Sequence, residues 1–290
     1  FRQPPAGVVR AREYRQMGVE RFGGADALAE DAHVFAAALA GCQAADAGPL
    51  KLSFGDLGLF RALIDGLEAP QPWRDRLKRA FAHPAQFGRL LESLEAPGAD
   101  GEEGLLQALV NLEPTEAQAA IRHILGLAGI ETVGGRTVTD IAERFLEKAA
   151  GLSGGGLPKG AIDAIKRFLA VSGAPDAALA GMQQAARDLQ VDLSPALARA
   201  EKRFEALKAA GADLAAASFS AAFGRRFDYY TDFVFEITSP HLAEGEPLAA
   251  GGRYDSLLEN LGGPRAAPAV GCMMRPDRIA RAAVLEGGRS

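Results

Sequence analysis

The sequence predicts an α+β fold: one mixed or antiparallel sheet fed by strands from both ends of the chain, flanking helices, and a largely helical insertion. Three observations carry this expectation. Period-two strand patterns cluster before residue 56 and after residue 211, the stretch from Leu57 to about Ala210 is helical almost throughout, and no internal repeat interrupts this plan. The expected division is therefore a core of residues 1–56 and 211–290 around a helical block of 57–210. A length of 290 residues admits one large domain or two, at roughly 100–200 residues per domain.

Residues 1–22 read as a broken hairpin: Phe1-Arg2 begins a strand, Gln3-Pro4-Pro5-Ala6-Gly7 interrupts it, and Glu13 to Glu20 returns with strict alternation. That alternation places Tyr14, Gln16, Gly18 and Glu20 on one face and Met17 and Val19 on the other. A face of Gln and Glu beside an aromatic suits a ligand rather than a core. Asp26 to Ala45 reads as an alanine-rich amphipathic helix with Asp26 as its N-cap, and Leu50 to Gly55 as a strand. In the helical block, Leu59, Leu63 and Leu67, then Trp73, Leu77 and Phe81, recur at i, i+4, i+8, and the pairs Ile121, Leu125 and Ile141, Phe145 continue the spacing. Several of its prolines fall at expected first turns. Gly151-Leu152-Ser153-Gly154-Gly155-Gly156 lacks the Lys-Ser/Thr of a phosphate loop and follows a helix, so it reads as a helix–helix connection. Further strands are expected at Asp213–Phe219, Phe233–Thr238, Pro247–Ala250 and Ala269–Met274, with helices at Tyr254–Leu261 and Pro276–Leu285.

Composition narrows the class of function. Hydrophobic residues at 48% and charged residues at 24% are ordinary for a globular protein with a sizeable core. A net charge of −5 gives no basic footprint for nucleic acid. No run of about 18 apolar residues and no basic-then-apolar leader is present, so neither a membrane span nor a signal peptide is expected and the location is read as cytoplasmic. The absence of an initiator Met suggests a fragment or trimmed chain. Cys42 and Cys272, far apart in apolar contexts, read as buried thiols in a reduced compartment. His33, His83, His123 and His241 show no metal-ligand spacing, so neither a metal nor a cofactor is expected.

The chemistry-bearing residues lie in three segments. Gln16 and Glu20 can accept hydrogen bonds from an ammonium or an imidazole N–H. Tyr229, Tyr230 and Tyr254 offer flat walls with hydroxyl tips. Arg225 can pair with a carboxylate, and Asp228 can hold Arg225 or a ligand nitrogen. The alternative is that these are interior polar residues satisfying one another within a sheet.

Phe1 to Glu20 resembles motif 2 of the class II aminoacyl-tRNA synthetases in its histidyl form. Arg225-Arg226-Phe227-Asp228-Tyr229-Tyr230-Thr231-Asp232 resembles the histidyl-specific Arg-Gly-Leu-Asp-Tyr-Tyr-Thr-Gly, and Gly251-Gly252-Arg253-Tyr254-Asp255 with the strand and helix after Pro268 resembles the region ending in motif 3. The resemblance implies a class II synthetase-like sheet and histidine as the small ligand, contacted by Gln16, Glu20, Arg225, Asp228, Tyr229, Tyr230 and Tyr254. Arg2, Arg10 and Arg278 match nucleotide-binding arginines and are read as a vestigial ATP site. The departures point away from catalysis. Pro4 replaces an adenine-reading acid, Arg226 and Asp232 replace glycines that would give a nucleotide room, and Arg275-Pro276 replaces another. No anticodon-binding domain is expected beyond the motif 3 helix, and Gly55-Asp56-Leu57-Gly58-Leu59-Phe60 resembles the synthetase paralogue of bacterial histidine biosynthesis, the regulatory subunit of ATP phosphoribosyltransferase.

That family implies no catalytic activity, a short-form catalytic subunit as partner, histidine as effector, no nucleic-acid or membrane partner, and a homodimer within a hetero-oligomer. A histidyl-tRNA synthetase fragment, or an amino-acid-binding module serving another enzyme, is the competing expectation.

Overall fold

Seven strands form the sheet of the computed structural model, which describes residues 14–95, 160–224, 229–263 and 267–287 and a few positions between 112 and 158. They are β1 (Met17–Phe22), β2 (Lys51–Asp56), β3 (Ser172–Gly173), β4 (Ser218–Ser220), β5 (Phe233–Thr238), β6 (Ala249–Arg253) and β7 (Ala269–Met274). Their spatial order is β1-β7-β6-β5-β2-β4-β3, and every neighbouring pair is antiparallel except β2 with β4. The expected mixed sheet drawing on both ends of the chain is present. Phe1-Arg2 and Gly151–Gly156 lie outside the described residues, as do Leu125, Ile141 and Phe145.

The helices are α1 (Ala27–Gln43), α2 (Leu57–Asp65), α3 (Gln71–Phe81), α4 (Pro84–Glu95), α5 (Ala161–Ala170), α6 (Pro175–Arg187), α7 (Ser194–Ala209), α8 (Leu257–Asn260) and α9 (Pro276–Gly287). Asp26 caps α1 as expected, its Oδ1 accepting from the amides of Leu28 and Ala29 at 3.1 Å each. Prolines open α4, α6 and α9, where the missing N–H costs nothing.

The described residues divide into two compact units, one within Phe1–Ala62, Arg167–Arg187 and Asp192–Ser290, the other within Leu63–Lys166 and Asp188–Val191. The apolar faces of α6 and α7 are buried in the unit that holds the sheet. α7 packs on α1, and α6 on β3 and β4. Phe204 of α7 meets Phe219 edge to face at 5.6 Å. In the second unit, α3 and α4 form a helical hairpin closed by Phe81 against Phe87 at 5.9 Å, and Lys78 ties back to Asp65 at 2.7 Å.

Register fixes what each face of the sheet carries. One cross-strand row reads Val19, Cys272, Gly251, Phe235, Phe54, and α1 covers it with Phe35, whose ring lies 5.3 Å from Phe235 and 5.6 Å from Phe54. The row on the opposite face reads Glu20, Gly271, Gly252, Val234, Gly55. The first is a core face; the second is nearly bare backbone. Cys42 and Cys272 are buried free thiols, and burial, helped by the neighbouring Cys272, pushes the Cys42 thiol up to about 11.

Some boundaries differ from the sequence reading for local reasons. Strand β1 starts at Met17, so Tyr14 and Gln16 precede it. Asp213 turns its carboxylate onto the amide of Ala215, diverting the chain until β4 begins at Ser218. The amides of Tyr254 and Asp255 are taken by Ala269 O and Thr231 Oγ1, which delays α8 to Leu257. Among the described residues no helix is long and apolar enough to cross a membrane.

Candidate functional site

The glycine-lined face carries a compact polar cluster. Tyr254 leaves β6 and donates its hydroxyl to Glu20 Oε2, while the Glu20 carboxylate lies directly over Gly271. A Cβ at Gly271 would occupy the space of that carboxylate. At Gly252 a Cβ would lie 2.8 Å from Cε1 of Tyr230, so the ring rests on the strand backbone. Only glycine allows either close approach.

Three aromatic rings wall the cluster. The centroids of Tyr229 and Tyr230 are 4.4 Å apart, and those of Tyr229 and Tyr254 6.0 Å apart. Phe22 stands edge-on to Tyr254 at 6.2 Å. Tyr230 and Tyr254 are buried, whereas Tyr229 is 38% exposed and forms the open side. Burial raises the Tyr254 hydroxyl above its ordinary pKa, and its bond to Glu20 adds to this. Burial likewise raises Tyr230, reinforced by Tyr229. Both phenols therefore stay protonated and act as donors at neutral pH. A carboxylate that accepts one phenolic proton keeps lone pairs for a further N–H.

The structure brings together Glu20, Tyr229, Tyr230 and Tyr254 among the sequence-expected residues. Gln16 sits just before β1 and is exposed. Arg225 and Asp228, and Arg2 and Arg10, lie outside the described residues. Arg278 lies on α9 and donates to the carbonyl of Pro247 at 3.0 Å. Arg275 pairs with Asp277 at 2.8 Å and lays its guanidinium over the Tyr14 ring, 4.1 Å from the centroid. Among the described residues no group of three His, Cys, Asp or Glu side chains is arranged to hold a metal ion.

Behind the tyrosine wall lies a charge network that sequence reasoning missed. Arg203 of α7, 1% exposed, reaches Asp31 of α1 at 2.9 Å, Asp232 at 3.1 Å, and Asp56 at the end of β2. Arg253 binds the other oxygen of Asp31 at 2.7 Å and also Asp255 at 2.9 Å. Asp232 was expected to intrude on nucleotide space. Its carboxylate instead turns inward to Arg203 and to Arg199, the latter at 2.7 Å.

The interior holds Arg203 and Arg253 against Asp31, Asp56 and Asp232, two cations against three acids. Burial drives Asp56 well above the usual carboxylate range, with repulsion from Asp232 added. Burial also opposes ionisation of Asp232, but Arg203, Asp56 and Arg199 outweigh it and lower its pKa. The two carboxylates are thus coupled, Asp56 being the harder of the pair to ionise and Asp232 the easier. Gly58 makes this convergence possible: a Cβ there would lie 2.7 Å from Asp232 Oδ1 and 2.9 Å from Asp56 Oδ1. Asp56 also caps α2, accepting from the Gly58 amide at 2.9 Å.

A proton held by folded Asp56 and released on unfolding stabilises the native state at low pH. That contribution fades as pH rises from about 4 through the raised native value. Asp56→Asn should remove this loss, so the variant's unfolding free energy should fall less than that of the wild type as pH rises above about 4. Parallel urea titrations at a series of pH values check it, and the same pH dependence in both proteins would reject a raised Asp56.

Comparison with known proteins follows this geometry. The histidyl-tRNA synthetase family model matches residues 1–150 and 136–279. ATP phosphoribosyltransferase regulatory subunits of Brucella canis and Brucella suis are 35% identical over 293 residues, covering 96% of this chain and 74% of theirs. Two solved structures share the fold. One is an ATP phosphoribosyltransferase regulatory subunit/histidyl-tRNA synthetase from Bacillus halodurans, with TM-score 0.54 and 22% identity over 95% of this chain and 56% of that chain. The other is a histidyl-tRNA synthetase from a Nostoc species, with TM-score 0.56 and 15% identity over 95% of this chain and 52% of that chain. The chain thus spans about half the length of these two solved chains. The Brucella relatives are named as regulatory subunits, which does not favour a synthetase fragment. On the match of the sheet, its motifs and these relatives, the chain belongs to the ATP phosphoribosyltransferase regulatory subunit family, built on the histidyl-tRNA synthetase fold.

Proposed function

We propose that this chain is a non-catalytic subunit that sustains the activity of a short-form ATP phosphoribosyltransferase catalytic subunit and brings it under histidine feedback. The observation that carries the effector part is the Glu20 carboxylate, bound by Tyr254 on a glycine floor and walled by Tyr229 and Tyr230. An acid beside hydroxyl-tipped rings matches the ammonium and imidazole N–H groups of histidine. Gln16, Arg225 and Asp228 belong to the proposed pocket as well, and Arg2, Arg10 and Arg278 to a vestigial ATP site. The subunit acts as a homodimer within a cytoplasmic hetero-oligomer, with residues 57–210 as its helical insertion. Histidine shifts the complex between two states only by as much as its affinity differs between them.

The test is to mix the full chain with a short-form catalytic subunit and follow phosphoribosyl transfer with and without histidine. Stimulation without histidine and inhibition with it are expected; unchanged rates and no co-elution would discard the proposal. Glu20→Gln removes the acceptor charge and should weaken histidine binding about 10- to 100-fold, the worth of a hydrogen bond to a charged group. Calorimetry on the complex checks this. A wild-type Kd in Glu20→Gln would remove Glu20 from the pocket.

A further inference from the structure

The segment that carries the tyrosine wall is held from behind at successive residues. Arg61 donates to the carbonyl of Tyr230 at 3.1 Å, and the amide of Thr231 donates to Arg253 O at 2.8 Å. The Asp255 amide donates to Thr231 Oγ1 at 3.1 Å, and Asp232 O accepts from the Leu57 amide at 3.1 Å. These ties join the segment to β6, to Asp255 just beyond it, and to α2, whereas its carboxylate at Asp232 is held from a different helix. The Asp232 carboxylate is gripped by Arg199 at 2.7 Å and Arg203 at 3.1 Å, both from α7. These arginines are four residues apart and so project from one face of the helix. Arg203 is buried, whereas the Arg199 side chain is 49% exposed. One helix thus grips the residue two places beyond Tyr230, and its outer arginine reaches solvent.

We propose that the Arg199–Asp232–Arg203 clamp positions the tyrosine wall, so that occupancy of the pocket and the placement of α7 are linked. The ligand half of this statement rests on the effector reading given above; the positioning half does not. Asp232 and its two arginines touch no ligand themselves. They act through the backbone of Tyr229 to Asp232, whose rings set the pocket's shape. An event that engages α7 at Arg199 alters the pocket, and a ligand that orders the wall restrains α7, since linkage runs both ways.

Near-UV circular dichroism reads the wall directly, because three of the four tyrosines in the chain, Tyr229, Tyr230 and Tyr254, belong to it. Asp232→Asn keeps the shape of the side chain and removes its charge. In the full chain it is expected to diminish the tyrosine band without loss of the cooperative melt. In the complex with the catalytic subunit it should raise the histidine Kd roughly tenfold, the worth of a charge-assisted hydrogen bond. Arg199→Ala, at a half-exposed position, should shift the band in the same direction and raise the Kd about two- to threefold. Arg199→Lys, which keeps the cation, should stay near wild type.

A folded Asp232→Asn with the wild-type band, or with the wild-type Kd, overturns the proposal. If Asp232→Asn does not fold, Arg199→Ala decides by the same two readings. If the wild-type complex itself binds no histidine, the effector reading fails, and the band of the ligand-free variants alone decides whether the clamp positions the wall.

Discussion

Arg203→Ala is expected to lower the unfolding free energy by roughly 3–5 kcal/mol, the usual result of removing one partner from a buried ion network. Arg203 is the common partner of Asp31, Asp56 and Asp232, which come from α1, the end of β2 and the segment before β5. Without it, Arg253 still faces Asp31 and Arg199 still faces Asp232, but none of these ion pairs supplies a cation to Asp56. Repulsion between Asp56 and Asp232 then loses its counterweight. Arg203→Lys should also lose stability, because one ammonium cannot reproduce a planar fork that reaches three carboxylates. Adding Asp56→Asn to Arg203→Ala should recover part of the loss, since two sites sharing one network are not additive. Equilibrium urea unfolding near neutral pH measures each variant. A loss under about 1 kcal/mol for Arg203→Ala, a typical surface value, would show that the network is solvated and structurally dispensable.

Phe54→Ala is the second large effect, at roughly 3–5 kcal/mol for deletion of a buried aromatic ring. The Phe54 ring touches three others: Phe35 of α1 at 5.6 Å, Phe233 of β5 at 5.9 Å and Phe204 of α7 at 6.1 Å. A hole there lies where the sheet and two helices meet, and none of the three rings can collapse into it without leaving another contact. Phe54→Leu refills most of the volume and should lose less, about 1 kcal/mol. A shift of the urea midpoint at constant slope identifies this as a loss of stability rather than a change in the unfolded chain. A Phe54→Ala loss no larger than that of Phe54→Leu would mean the core repairs itself.

Legibility followed the range of the interaction that shapes each element. Strands β5 and β7 are found at the residues expected, because β5 mixes aromatic and β-branched residues and β7 is a short continuous apolar run, both local strand signals. The cap at Asp26 reads from three consecutive residues. Motif resemblance singles out both Glu20 and Tyr254, but their direct hydrogen bond joins residues 234 apart across β7 and has no local signal. The charge network was not, because Asp31 and Arg203 are 172 residues apart and Asp56 and Arg203 147 apart. A signal was nevertheless present. Asp31 lies on the same helical stripe as Phe35 and Ala38, and Arg203 on that of Ala200 and Leu207, all of them buried. A charge placed on an apolar stripe needs an opposite charge in the interior. Strand β3, two residues long, carries no pattern that could announce it.

Among the described strands β1 bonds to β7 alone, so the first and last of them in sequence meet side by side. On a ribosome, Met17–Phe22 leaves the exit tunnel long before Ala269–Met274, its neighbour among the described strands, has been made. Pairing of β1 with β7 is therefore a long-range event that waits for β7 to be made, and such pairings form slowly. The Glu20–Tyr254 contact, which crosses β7, waits for the same event.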